Sequence, residues 1–312
     1  MNADFPAMFS NGTPQPATPN TCLGADNLAD FDVLTLYQDE QVWVGQTTAG
    51  EFDKFGLQDL YGSGNFGLHV GDDGAQVLTR RARLLAHIHD KLANAADNSS
   101  QISSLHWLNQ THSDVVVDVD DGLLPQSADA LVSSKAGAGL AIMTADCVPI
   151  ALFARVGECV PSVACVHAGW QGLANGIVAN AVRALRAKCD DGAQIFAVIG
   201  ACIAYPSYEM PVALVQRIAA DCAALGLAAQ NGAPMNAEAI FNVIAKPHDN
   251  TEKCWLDVVA LAKLELLTLG VQVLNDDVPC SYQDGRFYSY RAQTHAKKPA
   301  AGRMATIIVK RQ

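Results

Sequence analysis

The stretch from residue 136 to residue 153 (AGAGLAIMTADCVPIALF) constrains this chain more than any other. It is apolar almost throughout, yet Thr144, Asp146 and Pro149 interrupt it. It therefore falls short of the run of about 20 apolar residues that crosses a bilayer, and no membrane association is expected. Proline pushes the residue before it toward extended backbone. The stretch thus reads as two short buried strands, 140–144 and 149–153, joined by a turn that carries an acid and a thiol.

Other segments extend this pattern. Residues 115–119, 130–133, 162–167 and 195–199 read as strands of four to seven residues. Residues 271–274 and 306–309 would complete the sheet. Helical spacing of apolar residues predicts helices over 81–95, 172–188, 211–225 and 255–269. Clusters of strands followed by helices indicate an α+β fold with mixed sheets rather than strict βαβ alternation. Residues 10–30 gather Pro, Thr, Asn and Gly without periodicity and predict a flexible N-terminal extension, bounded here as 1–40, ahead of residues 41–312, within which nothing marks a clean domain boundary. Residues 230–253 read as a long loop or insertion.

Composition narrows the function. Half of the 312 residues are hydrophobic and only 17% are charged, which excludes general disorder. The formal charge is −11, and no cluster of Lys and Arg offers a counterion-displacing face, so no nucleic-acid partner is expected. The acidic pairs Asp72-Asp73, Asp120-Asp121, Asp190-Asp191 and Asp276-Asp277 read as solvated turns. Nine cysteines without a CxxC pair, and an opening MNADFPAMF that is not a secretory leader, lead us to expect free thiols in a reducing cytoplasm. Cys159, Cys165, Cys189, Cys202, Cys222, Cys254 and Cys280 are assigned to packing.

Three polar clusters break the apolar pattern: residues 108–113 (LNQTHS), 144–149 (TADCVP) and 167–172 (HAGWQG). Reactive side chains at the ends of buried strands are held by the scaffold while loops leave access open. His112, Cys147 and His167 are ligand types for a first-row metal, zinc foremost, and would leave a fourth position open. Their spacings of 35 and 20 residues match no short metal signature. On the residues alone, a core cysteine with two hydrogen-bonded histidines remains open. So does a metal-free cysteine hydrolase or deamidase in which His167 or His112 activates Cys147.

QTHS, TADCVP and HAGWQG, in this order, resemble the signature blocks of the YfiH-like family, formerly described as multicopper polyphenol oxidase or laccase domain and since reassigned as purine nucleoside phosphorylase. The flanks are similar as well. SGNFGLHVGD at 63–72, SADA at 127–130, SYR at 289–291 and GRMA at 302–305 match further blocks, so the resemblance spans roughly residues 43–310. It implies a single-domain YfiH-like fold of two mixed β-sheets packed together with outer helices. It implies a metal bound by His112, Cys147 and His167, zinc with copper as the alternative ion. The implied activity is phosphorolysis of adenosine, inosine, guanosine and 5′-methylthioadenosine, with adenosine deamination at the same site, so the partners are purine nucleosides and phosphate.

Three positions depart from the pattern. Gln171 stands where the family has Arg, Arg80 replaces an Asn, and residues 200–204 read GACIA in place of a GPxIG segment. Within this frame Cys147 and Asp146 are the catalytic candidates, Asp146 as an acid–base or supporting group beside the thiolate. Asn65 and His69 are expected on a loop contacting substrate. Arg81, Arg291 and Arg303 are expected to hold phosphate, for which the guanidinium fork is suited. Trp170, Tyr288 and Tyr290 read as packing residues, and His87 and His89 as solvated. A copper polyphenol oxidase would need many histidines. Only eight are present, and the one HxH pair is His87–His89.

Overall fold

The structure, a computed structural model, describes residues 25–28, 30–93, 102–122, 127–189 and 192–311. Two six-stranded mixed sheets form its centre. The first runs β1 (Ala25–Asn27), β2 (Asp32–Gln38), β3 (Val42–Thr47), β17 (Met304–Lys310), β7 (Ala138–Thr144) and β4 (Ser104–His106). The second runs β16 (Val271–Val273), β10 (Gln194–Ile199), β8 (Val148–Arg155), β9 (Val163–Ala168), β6 (Ala130–Ser133) and β5 (Val116–Asp118). β4 joins β7, β5 joins β6 and β16 joins β10 in parallel, while the other pairs are antiparallel. Minor sheets are built from β11 (Glu209–Pro211), β15 (Lys253–Leu256) and β14 (Ala245–Lys246), and from β12 (Ala229–Gln230) with β13 (Ala233–Pro234).

The layers explain the apolar stretch. Leu140 and Ile142 of β7 face the second sheet, in one cluster with Leu131, Phe153, Val163 and Val198. Their neighbours Ala141 and Met143 face the other way, against Leu84, Ile88 and Leu92 of helix α1 (Gly74–Ala93). A strand covered on both faces needs apolar residues at every position, not at alternate ones. The far face of the second sheet is covered by α3 (Ile177–Arg186), α4 (Val212–Ala224) and α6 (Val258–Thr268). The order is helix, sheet, sheet, helices, as expected for an α+β protein. No helix among the described residues is long and apolar enough to cross a membrane.

Several boundaries differ from the expected ones. Of the extension over 1–40, residues 1–24 lie outside the described residues. Asp32–Gln38, by contrast, is strand β2, whose Val33 and Leu34 are buried. The helix expected over 172–188 is two helices, α2 (Trp170–Asn175) and α3, because Gly176 adopts the left-handed conformation (φ 88°) and ends the first. The loop over 230–253 contains α5 (Ala237–Ile244), capped by the Asn236 side chain and anchored by buried Ile240 and Ile244. His87 and His89 are partly buried rather than solvated: His87 pairs with Asp26, and His89 bonds the Ile102 carbonyl. The short helix α7 (Tyr290–His295) completes the set.

Candidate metal centre

His112, Cys147 and His167 come together, with their ligand atoms all within 4.8 Å of one another. Register is the cause. The antiparallel pairing of β8 and β9 sets Val148 opposite Ala168 and Pro149 opposite His167, which places Cys147 beside the end of β9. The chain crosses from the first sheet to the second in the turn 145–147, so Cys147 sits where the two sheets meet. His112 arrives from the loop between β4 and β5. Gln110 holds that loop to β7 twice, its Nε2 donating to the Met143 carbonyl (2.7 Å) and its Oε1 accepting the Met143 N–H (2.8 Å).

Asp129, fully buried just before β6, organises the group. Its Oδ1 lies 2.8 Å from His167 Nδ1 and accepts the His112 N–H at 3.0 Å. Its Oδ2 accepts the Ser113 N–H (2.5 Å) and hydroxyl (2.7 Å). This leaves His167 Nε2 for the cluster and fixes the loop in which His112 takes the left-handed conformation (φ 60°). Burial raises the Asp129 carboxyl, but hydrogen bonds from His167 and Ser113 outweigh it and hold the group well below the usual carboxylate range. In the sequence the SADA block marks Asp129 without assigning it a role. A buried acid opening a strand beside a candidate ligand strand was the available signal.

Electrostatics suit a cation. Burial raises the Cys147 thiol, yet the charge of His167 and hydrogen bonds from both histidines bring it down to about 6. His167 moves the opposite way, lowered by burial but raised further by Cys147 and Asp129. Cys147 Sγ and His112 Nε2 are 3.7 Å apart, and the two imidazole rings meet edge to face at 4.8 Å. Gly169 permits this closeness, since a Cβ there would stand 2.9 Å from His112 Cδ2 and 3.0 Å from Cys147 Sγ. Two imidazole nitrogens and a thiolate, one histidine backed by a carboxylate, are a donor set that fits zinc or copper.

The other expected residues divide. Asp146 is buried with φ 102°, and its carboxylate accepts the Ser281 hydroxyl (2.7 Å) and the Arg291 N–H (2.6 Å). Burial raises it, and these bonds offset only part of the rise. It therefore fixes the turn behind Cys147 instead of standing free as an acid or base. Asn65, expected to touch substrate, is fully buried, and its amide is occupied by Gly67, Asp72 and the Arg303 N–H. Arg81 gives Nε and Nη2 to the Phe66 carbonyl and lies 4.1 Å over Trp107, with burial lowering it to about 10. Arg291 donates Nη1 to the Glu209 carbonyl and covers Tyr208. Arg303 spends Nη1 on the Ala301 and Gly302 carbonyls, while its Nε and Nη2 have no partner among the described residues. Exposed His69 is lowered by its own partial burial and by the positive charges of Arg303, Arg81 and His167. Tyr288 is buried with its hydroxyl on the Ala49 and Tyr61 carbonyls, Trp170 packs on the helical core, and Tyr290 is exposed.

Comparison with known proteins follows the same lines. Residues 54–311 match the family model described as multi-copper polyphenol oxidoreductase laccase. A purine nucleoside phosphorylase of Corynebacterium glutamicum is 30% identical over 255 residues, covering 80% of this chain and 88% of that protein. The purine nucleoside phosphorylase YfiH of Escherichia coli is 30% identical over 251 residues, covering 80% and 86%. Among solved structures, a Neisseria meningitidis protein superposes with a TM-score of 0.65 at 27% identity, over 90% of this chain and 99% of that one. YlmD of Geobacillus stearothermophilus shares the fold, with a TM-score of 0.67 at 22% identity over 94% and 100%.

Proposed function

Because the chain belongs to the family described as multi-copper polyphenol oxidoreductase laccase, whose relatives at 30% identity are named purine nucleoside phosphorylases, we propose that it is a metal-dependent purine nucleoside phosphorylase. The observation that carries this reading is the His112–Cys147–His167 centre with the cation Arg303 beside the turn that bears Cys147, since Met304 pairs with Thr144, in a chain of net charge −11. A locally positive site in an acidic protein suits an anionic co-substrate.

His112, Cys147 and His167 would hold the metal, zinc with copper as the alternative, and it would supply a Lewis acid with an open position. The remaining steps belong to the chain. Arg303 offers the free edge of its guanidinium to phosphate, and His69 contacts the substrate. Held there, a phosphate oxygen attacks C1′ of the sugar as the bond from C1′ to the purine nitrogen breaks, giving a free base and a pentose 1-phosphate. Asn65 acts through Arg303 by binding its N–H, and Asp146 acts through Cys147 by fixing the turn. The substrates proposed are adenosine, inosine, guanosine and 5′-methylthioadenosine, with adenosine deamination as a second activity. Among the described residues one metal-ligating cluster of three side chains is present, which is room for one ion and not for the several of a copper polyphenol oxidase.

Adenosine supplied with and without phosphate tests the reading. Adenine forming only with phosphate is the expected result, and inosine without phosphate reports deamination. Neither product in either buffer sinks it. Activity that survives chelation but not thiol alkylation would point instead to a metal-free cysteine hydrolase.

A further inference from the structure

Cys202 and Cys280 are far apart in sequence and were assigned to packing. In the structure they are bridge partners in parallel register, outside any of the named strands. The Cys202 N–H donates to the Pro279 carbonyl (3.2 Å), and the Ser281 N–H donates to the Cys202 carbonyl (2.8 Å). Parallel neighbours stand about 4.8 Å apart, inside the range of roughly 4.4–6.8 Å between Cα atoms that a disulfide spans. Paired residues of a parallel bridge also project to the same side, so the two Cβ atoms face a common space. Both thiols are free. Cys202 is fully buried, whereas Cys280 is partly exposed, with its Sγ near Ser207 Oγ (3.7 Å) and the Ala204 N–H (3.4 Å).

The residues next to this pair both hold Asp146. The Ile203 N–H donates to the Asp146 carbonyl (2.8 Å), and the Ser281 hydroxyl donates to its carboxylate (2.7 Å). Any bond between Cys202 and Cys280 therefore joins the two segments that fix the turn bearing Cys147.

We propose that Cys202 and Cys280 form a reversible disulfide site, closed by a peroxide. The accessible Cys280 thiol takes one peroxide oxygen to become a sulfenic acid and releases water. Cys202 sulfur then attacks the Cys280 sulfur and expels a second water, which carries off the Cys202 proton. In total two thiols lose two electrons and two protons, and one peroxide becomes two waters. A dithiol reopens the bond by exchange. The closed bond tightens the segments on either side of Asp146, so the oxidation state of this pair reaches the metal-binding turn without either cysteine being a ligand.

The test uses zinc-loaded protein treated with hydrogen peroxide, blocked with iodoacetamide without reduction, digested and weighed. The expected product is one peptide pair joined through Cys202 and Cys280, released by dithiothreitol and missing from Cys280→Ser. Cys202→Ala, which only shortens a buried side chain, serves as the second variant. Recovery of both cysteines singly alkylated or overoxidised, or linkage of either one to another cysteine, overturns the site. Zinc affinity, read by chelator competition, is expected to differ roughly tenfold between linked and reduced protein, the lower end of the effect of groups behind metal ligands. Equal affinities overturn the connection to the metal turn.

Discussion

Asp129 Oδ1 lies 2.8 Å from His167 Nδ1, and the same carboxylate accepts the backbone N–H of His112. One buried acid thus positions two of the three candidate ligands. Asp129→Asn keeps the shape but removes the charge and turns an N–H₂ group toward donors. Metal affinity is expected to fall roughly 10- to 100-fold. Chelator competition measures it, and an unchanged constant would contradict the role.

Gly169→Ala tests how tightly the cluster is built. The added methyl would stand 2.9 Å from His112 Cδ2 and 3.0 Å from Cys147 Sγ, well inside van der Waals contact, so the two ligands must move apart to admit it. The expected result is a protein that folds with a nearly parental melting temperature and loses most of its bound metal. Full metal content in the purified variant would mean that the ligands adjust freely.

Gln171 is exposed in the first turn of α2, two residues beyond Gly169. If it borders the phosphate of the proposed reaction, Gln171→Arg adds a charge-assisted contact worth about 1.5–3 kcal/mol, or roughly 10- to 150-fold in phosphate affinity. The expected change is a lower KM for phosphate and a higher ratio of phosphorolysis to deamination at constant metal content. An unchanged ratio and KM would show that position 171 does not meet the anion.

Glu265 is buried in α6, and neither carboxylate oxygen has a hydrogen-bond partner among the described residues. Burial raises it well above the ordinary glutamate range. The folded state therefore binds its proton more tightly than the unfolded chain does. Its relative stability is fully present below the unfolded value of about 4.3 and declines as pH rises toward the folded one, by at most about 1.4 kcal/mol per pH unit. Glu265→Leu lacks this loss. Urea unfolding from pH 4 to pH 7 should show the variant gaining on the parent as pH rises, and a constant difference would be the contrary result.

The strands of the second sheet were legible because each is a short apolar run bounded by turn residues, as with residues 130–133 and 195–199. β2 was not, because its seven residues follow directly on a Pro- and Asn-rich segment and carry Thr35 and Gln38 among the apolar ones. α5 escaped notice between Pro234 and Pro247, although Asn236 and the pair Ile240 and Ile244 carry the helix signal. The three ligands were legible only through ordered motif blocks, since spacings of 35 and 20 residues say nothing about proximity until strand register is known. Register also explains why Asp129 was missed: its importance comes from lying opposite His167, a relation between strands. By residue type Arg81 and Asn65 read as ligand-facing, whereas the Phe66 carbonyl holds Arg81 and the N–H groups of Gly67 and Arg303 hold Asn65.

The passage of the chain between the two sheets at 145–147 has an effect beyond placing Cys147. One ligand rides at the seam, while His112 is tied through Gln110 to the first sheet and His167 belongs to the second. A bound ion is then a rivet through both layers, and the interface between the layers is part of its spring. Trimming side chains such as Ile142 or Phe153, which fill the space between the sheets and are not ligands, is then expected to loosen one layer against the other and weaken the centre. Conversely, an ion held at this centre would resist that slippage, so metal and core packing would stiffen each other across the molecule.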